Sequence, residues 1–299
     1  MGTPDFAVAS LARLYEAGHD IVGVFTQPDK PKNRGMKLSA SPVKELAMEH
    51  NTPVYQPASL KNAEVMDALR ALAPELIAVV AYGKLLPREV LELPPLGCVN
   101  IHGSVLPKYR GSAPIQWEVL NGEKQAGVTA MYMAEEMDAG DIIAIETTEI
   151  GEYETAGELY ARLGLLGAGL LCKTLDAISR GTAVRTPQDS AEATFAPPLT
   201  KELSPIDWSQ TAFVVLRKIL GLNPWPIATT ELAGTNFKVY AAIEGADDTA
   251  AKPGEIVSSG NAGLEVACAD GTVIITELQV PGGKRMRAGD YLRGHPICK

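Results

Sequence analysis

Four near-continuous apolar runs mark the first 180 residues: DIVGVFT at 20–26, LIAVVAY at 76–82, GCVNIH at 97–102 and GVTAMYM at 127–133. Strands covered on both faces, as in a parallel sheet, read this way, without a polar residue at every second position. Residues 5–17, 42–50, 60–72 and 113–121 have helical composition, and a longer helix is predicted from about Ala156 to Arg180, stopped at Gly181. The opening GTPDF suits a helix start, with Thr3 as the cap, Pro4 at the first helical position and Asp5 at the positive end. Strand and helix in alternation predict an α/β domain over 1–182, a doubly wound, mostly parallel sheet.

The rhythm then changes. Residues 183–203, within TAVRTPQDSAEATFAPPLTKEL, are rich in Thr, Pro and Ala with little periodicity and read as a linker. Over 204–299, one short helix at 211–220 precedes ATTELAG, TNFKVYAAIE, GEIVSS, GLEVAC and TVIITELQV. Short strands at regular spacing, separated by Gly, Pro and Asn, are the signature of a small β-barrel.

Polar residues intrude at one strand end. Asn100 and His102 are two apart in GCVNIH, so both side chains point to the same side of the strand. In open α/β sheets, ligands bind beyond the carboxyl ends of the strands. The next strand leaves its apolar run at Ala134 and enters a turn with Asp138 and Gly140. An amide, an imidazole and a carboxylate converging there could donate to a developing oxyanion and handle a proton. Gly103 and Gly140 are expected to leave room for a ligand.

Charge adds a second feature. The net charge of −9 argues against indiscriminate nucleic-acid binding, yet two segments are basic. Between Pro28 and Lys44, five basic residues (Lys30, Lys32, Arg34, Lys37 and Lys44) face one acid, Asp29. From Lys284 to Lys299, Lys284, Arg285, Arg287, Arg293 and Lys299 face only Asp290. No apolar run is long enough for a membrane helix, and the N-terminus has neither a signal-peptide nor a transit-peptide character, so a cytoplasmic location is expected. Cys98, Cys172, Cys268 and Cys298 include no C-x-x-C pair, and buried free thiols in a reducing compartment are expected. The motifs G-x-G-x-x-G, G-x-x-x-x-G-K-[ST] and G-x-S-x-G are absent, and no His/Cys cluster has metal spacing. The chemistry that survives is acyl-type transfer with no metal and no covalent nucleophile.

NIHGSVLPKYRG, GVTAMYMAEEMDAGDI, GTPDFAV and FTQPDKPKNRGMKL, with IDWSQ and NPWP in the second half, together resemble the methionyl-tRNA formyltransferase family over nearly the whole chain. The Asn-x-His plus Asp pattern is common to folate-dependent formyltransferases, whereas the basic 28–44 loop and the second domain point to a tRNA acceptor. The resemblance implies that Asn100, His102 and Asp138 are catalytic. It implies that Ser104, Val105, Leu106 and Pro107 bind folate, Val105 standing where the family usually has Leu. VVAYGKLLP at 79–87 would wall the pteridine pocket. Arg34, with Lys30, Lys32 and Lys37, would meet the tRNA acceptor arm. It further implies an oligonucleotide-binding (OB) type of barrel, 10-formyltetrahydrofolate as co-substrate, initiator methionyl-tRNA as partner, and a monomer. Two alternatives stay open at this point: a formyltransferase acting on an amino-sugar nucleotide or purine precursor, and an RNA-binding protein with a relic α/β domain.

One departure concerns the opening. The family has a mid-sheet apolar strand of about six residues leading into the GTPDF turn, where only Met1 stands here. The expectation is that the chain as written starts late, with flanking strands left to close over a gap or lose hydrogen bonds at about 1–3 kcal/mol each.

Overall fold

The computed structural model describes residues 1–32 and 37–297. The chain divides into two compact units that interleave in sequence. The first comprises Met1–Pro114, Ala126–Thr148 and Tyr160–Ala196, and the second Ile115–Gln125, Glu149–Leu159 and Pro197–Lys299. Residues 183–196, part of the stretch expected to be a linker, thus belong to the first unit.

The first unit is built on β1 (Val24–Phe25), β2 (Lys30–Lys32), β3 (Lys37–Ser39), β4 (Val54–Tyr55), β5 (Ile77–Val80), β6 (Cys98–His102), β7 (Arg110–Gly111), β8 (Gln125–Tyr132), β9 (Ile142–Glu149) and β10 (Phe195–Ala196). Its helices are α1 (Asp5–Glu16), α2 (Pro42–Glu49), α3 (Ala63–Leu72), α4 (Arg88–Leu91) and most of α6 (Ala156–Ser179), while α5 (Pro114–Leu120) lies almost wholly in the second unit. β1 pairs with β4 and β5 with β6 in parallel, as expected of apolar runs covered on both faces. β8 joins β6 antiparallel, and β9 completes the order β5-β6-β8-β9. β9 escapes the apolar-run criterion because only Ile143 along it is buried. The core gathers Phe25, Leu69, Ile77, Val79, Tyr82 and Cys98 on one side. On the other, α6 approaches β6 closely at Gly167, where a Cβ would lie 2.8 Å from Ile101.

Met1 and Gly2 join the two parallel pairs. The Met1 amino group donates to the Ala78 carbonyl (2.6 Å), Val80 N–H to the Met1 carbonyl (2.9 Å), and Gly2 N–H to the Phe25 carbonyl (3.0 Å). Burial lowers the pKa of the Met1 amine to about 5. A cavity of about 580 Å³, lined by Met1 and by apolar side chains such as Leu11, Leu14, Val24, Ile77 and Leu171, adjoins this junction. Thr3 does not cap α1: the N-cap is Pro4. The Thr3 hydroxyl instead donates to the Tyr82 carbonyl and accepts from Gln27 N–H, tying three loops at the strand ends.

In the second unit, α7 (Ala212–Gly221) is capped by Thr211, whose hydroxyl accepts from Val214 N–H. β11 (Ala228–Leu232), β12 (Thr235–Glu244), β13 (Ile256–Gly260), β14 (Gly263–Ala267) and β15 (Thr272–Gln279) form an antiparallel sheet in the order β11-β12-β15-β14-β13. The short β16 (Met286–Arg287) pairs with β15 and leads into α8 (Ala288–Gly294). Bulges in β12 at Val239–Ala242 bend it against β15. The five strands and the helix expected of this domain are present, with β16 and α8 added.

Candidate active site

β6 is buried throughout and carries Asn100 and His102 on one face, two residues apart. Asn100 is 9% exposed, and among the described residues its amide has no hydrogen-bond partner. His102 Nε2 lies 2.9 Å from the carbonyl oxygen of Tyr109. Nδ1 faces Asp138 Oδ1 at 3.6 Å, just beyond a hydrogen bond. The other Asp138 oxygen, Oδ2, accepts from Gly111 N–H at 2.9 Å. His102 and Asp138 therefore come together, with a backbone carbonyl and a backbone N–H fixing them, and Asn100 lies on the same face of β6. But β8 runs antiparallel to β6, so the Asp138 turn leaves the sheet beside Val99 rather than at the carboxyl end of β6.

The turn bearing Asp138 is tight. Asp138 has φ 52°, in the left-handed region. Gly140 was expected to leave room for a ligand, but that space belongs to the protein: a Cβ there would lie 1.8 Å from the Tyr132 carbonyl oxygen. Gln188 Nε2 donates to the carbonyls of Asp138 (2.9 Å) and Gly140 (2.8 Å), and buried Arg110 donates to Gln188 Oε1.

The loop after β6 is knitted from within. The Ser104 hydroxyl donates to the Lys108 carbonyl (2.7 Å), and Thr129 links the loop to β8 by accepting from Leu106 N–H and donating to the Ser104 carbonyl. Ser104 and Leu106 are buried, while Val105 and Pro107 remain partly exposed. In the 79–87 segment, Tyr82 and Leu86 are core residues and Leu85 is exposed.

A second polar cluster sits beyond β1 and β4. Lys44 Nζ donates to Asp29 Oδ2 and Gln56 Oε1, both at 2.7 Å. Hydrogen bonds from Lys44, then from Gln56, hold the Asp29 carboxyl below its ordinary pKa. Lys30 Nζ donates to Gln27 Oε1 (2.7 Å). Lys30 and Lys32 lie on β2 and Lys37 on β3, two antiparallel strands of a hairpin. Arg34 lies outside the described residues. In the second unit, Arg285 and Arg293 of the other basic segment pair with Glu277 and Asp290. Tyr109, Arg110, Thr129 and Gln188 did not stand out in the sequence, since none belongs to a polar pair within an apolar run. Among the described residues, no group of His, Cys, Asp and Glu could hold a metal.

The formyl transferase family matches residues 1–175, and its C-terminal domain matches residues 198–296. The chain is 47% identical to a methionyl-tRNA formyltransferase of Pelotomaculum thermopropionicum, covering 99% of this chain and 95% of that protein. It is 48% identical to one of Alkaliphilus oremlandii, covering 100% and 96%. The chain belongs to the methionyl-tRNA formyltransferase family. Among solved structures, an N-formyltransferase from Helicobacter canadensis, in complex with folinic acid and dTDP-3-aminofucose, shares the fold at TM-score 0.66 and 19% identity, over 95% of this chain and 97% of that one.

Enzymes of the methionyl-tRNA formyltransferase family draw the formyl group from 10-formyltetrahydrofolate. The residues present fit that donor. The Asn100 amide has no hydrogen-bond partner among the described residues and so is free to donate, and a formyl oxygen is an acceptor of the right kind.

Proposed function

We propose that the chain transfers the formyl group of 10-formyltetrahydrofolate to the α-amino group of initiator methionyl-tRNA, giving N-formylmethionyl-tRNA for translation initiation. The observation that carries this reading is the approach of Asp138 to His102, with Asn100 two residues away on the same face of β6. Close similarity along the whole chain to enzymes named for that reaction supports the acceptor.

The bound folate would supply the formyl carbon. The attacking amine must be neutral: a free α-amino group has a pKa of about 8 and one on an ester is lower, so neutral amine is available near pH 7. Attack on the formyl carbon places a negative charge on its oxygen. The Asn100 amide is a donor for it, and so is His102 Nδ1 when protonated. The Tyr109 carbonyl can only accept, so Nε2 keeps its proton and Nδ1 is the nitrogen that exchanges one. The amine loses a proton as the new C–N bond forms, and the folate nitrogen gains one as the old C–N bond breaks. His102, with Asp138 beside it, carries that proton between them, directly or through water.

Ser104, Val105, Leu106 and Pro107 are assigned to the folate pocket, contributing backbone and apolar surface rather than the Ser104 hydroxyl, which is already bonded. Lys30, Lys32, Arg34 and Lys37 supply phosphate affinity for the acceptor arm. Catalysis is assigned to the domain 1–182 and tRNA binding to 204–299, with residues 183–196 of the intervening 183–203 stretch belonging to the first compact unit. The enzyme acts as a monomer in the cytoplasm; the unpaired thiols of Cys98 and Cys268 support a reducing compartment.

The test is direct. The protein is incubated with 10-formyltetrahydrofolate and methionyl-tRNA, and formyl-methionyl ester is measured. In parallel arms, an amino-sugar nucleotide or a purine precursor replaces the tRNA. Formyl transfer to either of those, with none to methionyl-tRNA, overturns the proposal.

A further inference from the structure

The segment following α6 does more than connect two units. Thr186 exchanges backbone hydrogen bonds with Ile142 at 2.8 and 2.9 Å, and Phe195–Ala196 pairs with Arg110–Gly111 in parallel. Between these anchors, Gln188 turns its side chain toward the Asp138 turn and uses both ends of it. Oε1 accepts from Arg110 Nε (3.2 Å) and Nη2 (2.9 Å). Nε2 donates to the Asp138 carbonyl (2.9 Å) and the Gly140 carbonyl (2.8 Å). Arg110 is itself 2% exposed, so the anchor is rigid.

This arrangement answers a structural need. Asp138 sits at φ 52°, a conformation that a non-glycine residue keeps only when its surroundings impose it. Gln188 grips the turn on both sides of Ala139. Tyr109–Gly111 touches both partners of the catalytic pair: the Tyr109 carbonyl accepts from His102, and Gly111 N–H donates to Asp138. Arg110, the middle residue of the same stretch, holds Gln188. The result is a closed ring from His102 through Tyr109, Arg110 and Gln188 to Asp138.

We propose that Gln188 is a positioning residue for formyl transfer, holding the Asp138 carboxylate against Nδ1 of His102, with Arg110 as its anchor. The proposal rests on the formyl-transfer reading. The position demands an amide, because only an amide both accepts from a guanidinium and donates to two carbonyls. Glutamate would keep the Arg110 contact but set an oxygen against two carbonyl oxygens. Methionine would keep the length and lose both functions.

Gln188→Glu and Gln188→Met, in the full chain, test it. In both, kcat for methionyl-tRNA formylation should fall about 10- to 100-fold, the scale of a misplaced catalytic group. KM for the folate and for the tRNA should stay within about twofold, since Gln188 is assigned no contact with either. The ring-nitrogen resonances of His102, assigned through His102→Asn, should move in both variants. Keeping the Arg110 contact in Gln188→Glu should not restore turnover. If the parent protein forms no formyl-methionyl ester, the functional reading fails, and the His102 resonances still report whether Gln188 governs the pair. Parental kcat in Gln188→Glu overturns the proposal. So does a loss of activity that matches a loss of folded protein, with the His102 resonances unmoved in the folded fraction.

Discussion

His102 is held by the backbone of Tyr109, its Nε2 donating to the Tyr109 carbonyl at 2.9 Å. The bond fixes the ring's tautomer and leaves Nδ1 toward Asp138. Asn100, on the same face of β6, supplies a second donor with no competing partner. Under the proposed chemistry both groups donate to the formyl oxygen, and each should matter to the transition state more than to the ground state. His102→Ala and Asn100→Ala should therefore each lower kcat by at least about 10²-fold, roughly 3–4 kcal/mol, with little change in tRNA binding. Steady-state kinetics beside a filter-binding measurement separates the two effects. Near-parental turnover in either variant removes that residue from the proposed chemistry.

Gly140 offers a test from the backbone. A Cβ at this position would collide with the Tyr132 carbonyl, and the turn would have to open. The Gly140 carbonyl is also one of the two that Gln188 grips. Gly140→Ala should displace Asp138 and lower kcat by about 10²-fold, the scale of a displacement of about 1 Å. A crystal structure of the variant with the Asp138–His102 approach intact, and undiminished kcat, would contradict this.

Much of this site was legible because it lies on regular structure. The period of two in a strand put Asn100 and His102 on one face, and β6 keeps them there. Asp138 reaches His102 by a route that the apolar run does not encode: β8 runs antiparallel to β6 and ends with Tyr132 paired to Val99, so the following turn has to come back along β6 to meet His102. Gly140 was noticed for its small size, but its space is filled by the Tyr132 carbonyl, a tertiary contact that no local pattern encodes. Thr3 looked like a helix cap, yet its hydroxyl serves Tyr82 and Gln27, residues far along the chain. Gln188 was hidden by its surroundings: Thr, Pro and Ala without periodicity read as a linker, although β10 pairs with β7. β9 was missed because a half-exposed strand carries no continuous apolar run.

The basic hairpin makes a prediction about salt. Each Lys or Arg that neutralises a phosphate releases a counterion and adds about one to the slope of log affinity against log salt. Arg34→Ala and Lys30→Ala should each weaken use of methionyl-tRNA and reduce that slope by about one. The gap between parent and variant is then widest at low salt and closes as salt rises. Lys44 should behave differently, because its ammonium is bonded to Asp29 and Gln56. The measurement is KM for methionyl-tRNA over a salt series. Parallel slopes for parent and variants would remove these residues from the tRNA contact.

A last prediction concerns stability. Glu118 in α5 is 2% exposed, and among the described residues its Oε2 has no hydrogen-bond partner. Burial, followed by the nearby charge of Glu123, raises its pKa from 4.5 to about 9. The folded protein therefore keeps this proton at neutral pH, while the unfolded chain has already released it. With the folded pKa above the unfolded one, the stability tied to this group is fully present below pH 4.5 and is lost steadily as pH rises to about 9. At pH 7 the loss is on the order of 3 kcal/mol relative to the acid limit. Gln cannot ionise and matches the shape of the protonated side chain. Glu118→Gln should therefore be more stable than the parent at pH 7, by a margin that grows from pH 5 to pH 9. Urea unfolding of both proteins at pH 5, 7 and 9 isolates the effect, because titrating groups that do not interact with Glu118 cancel in the difference. A difference that stays flat across that range would mean that Glu118 ionises in the folded protein as it does in the unfolded chain.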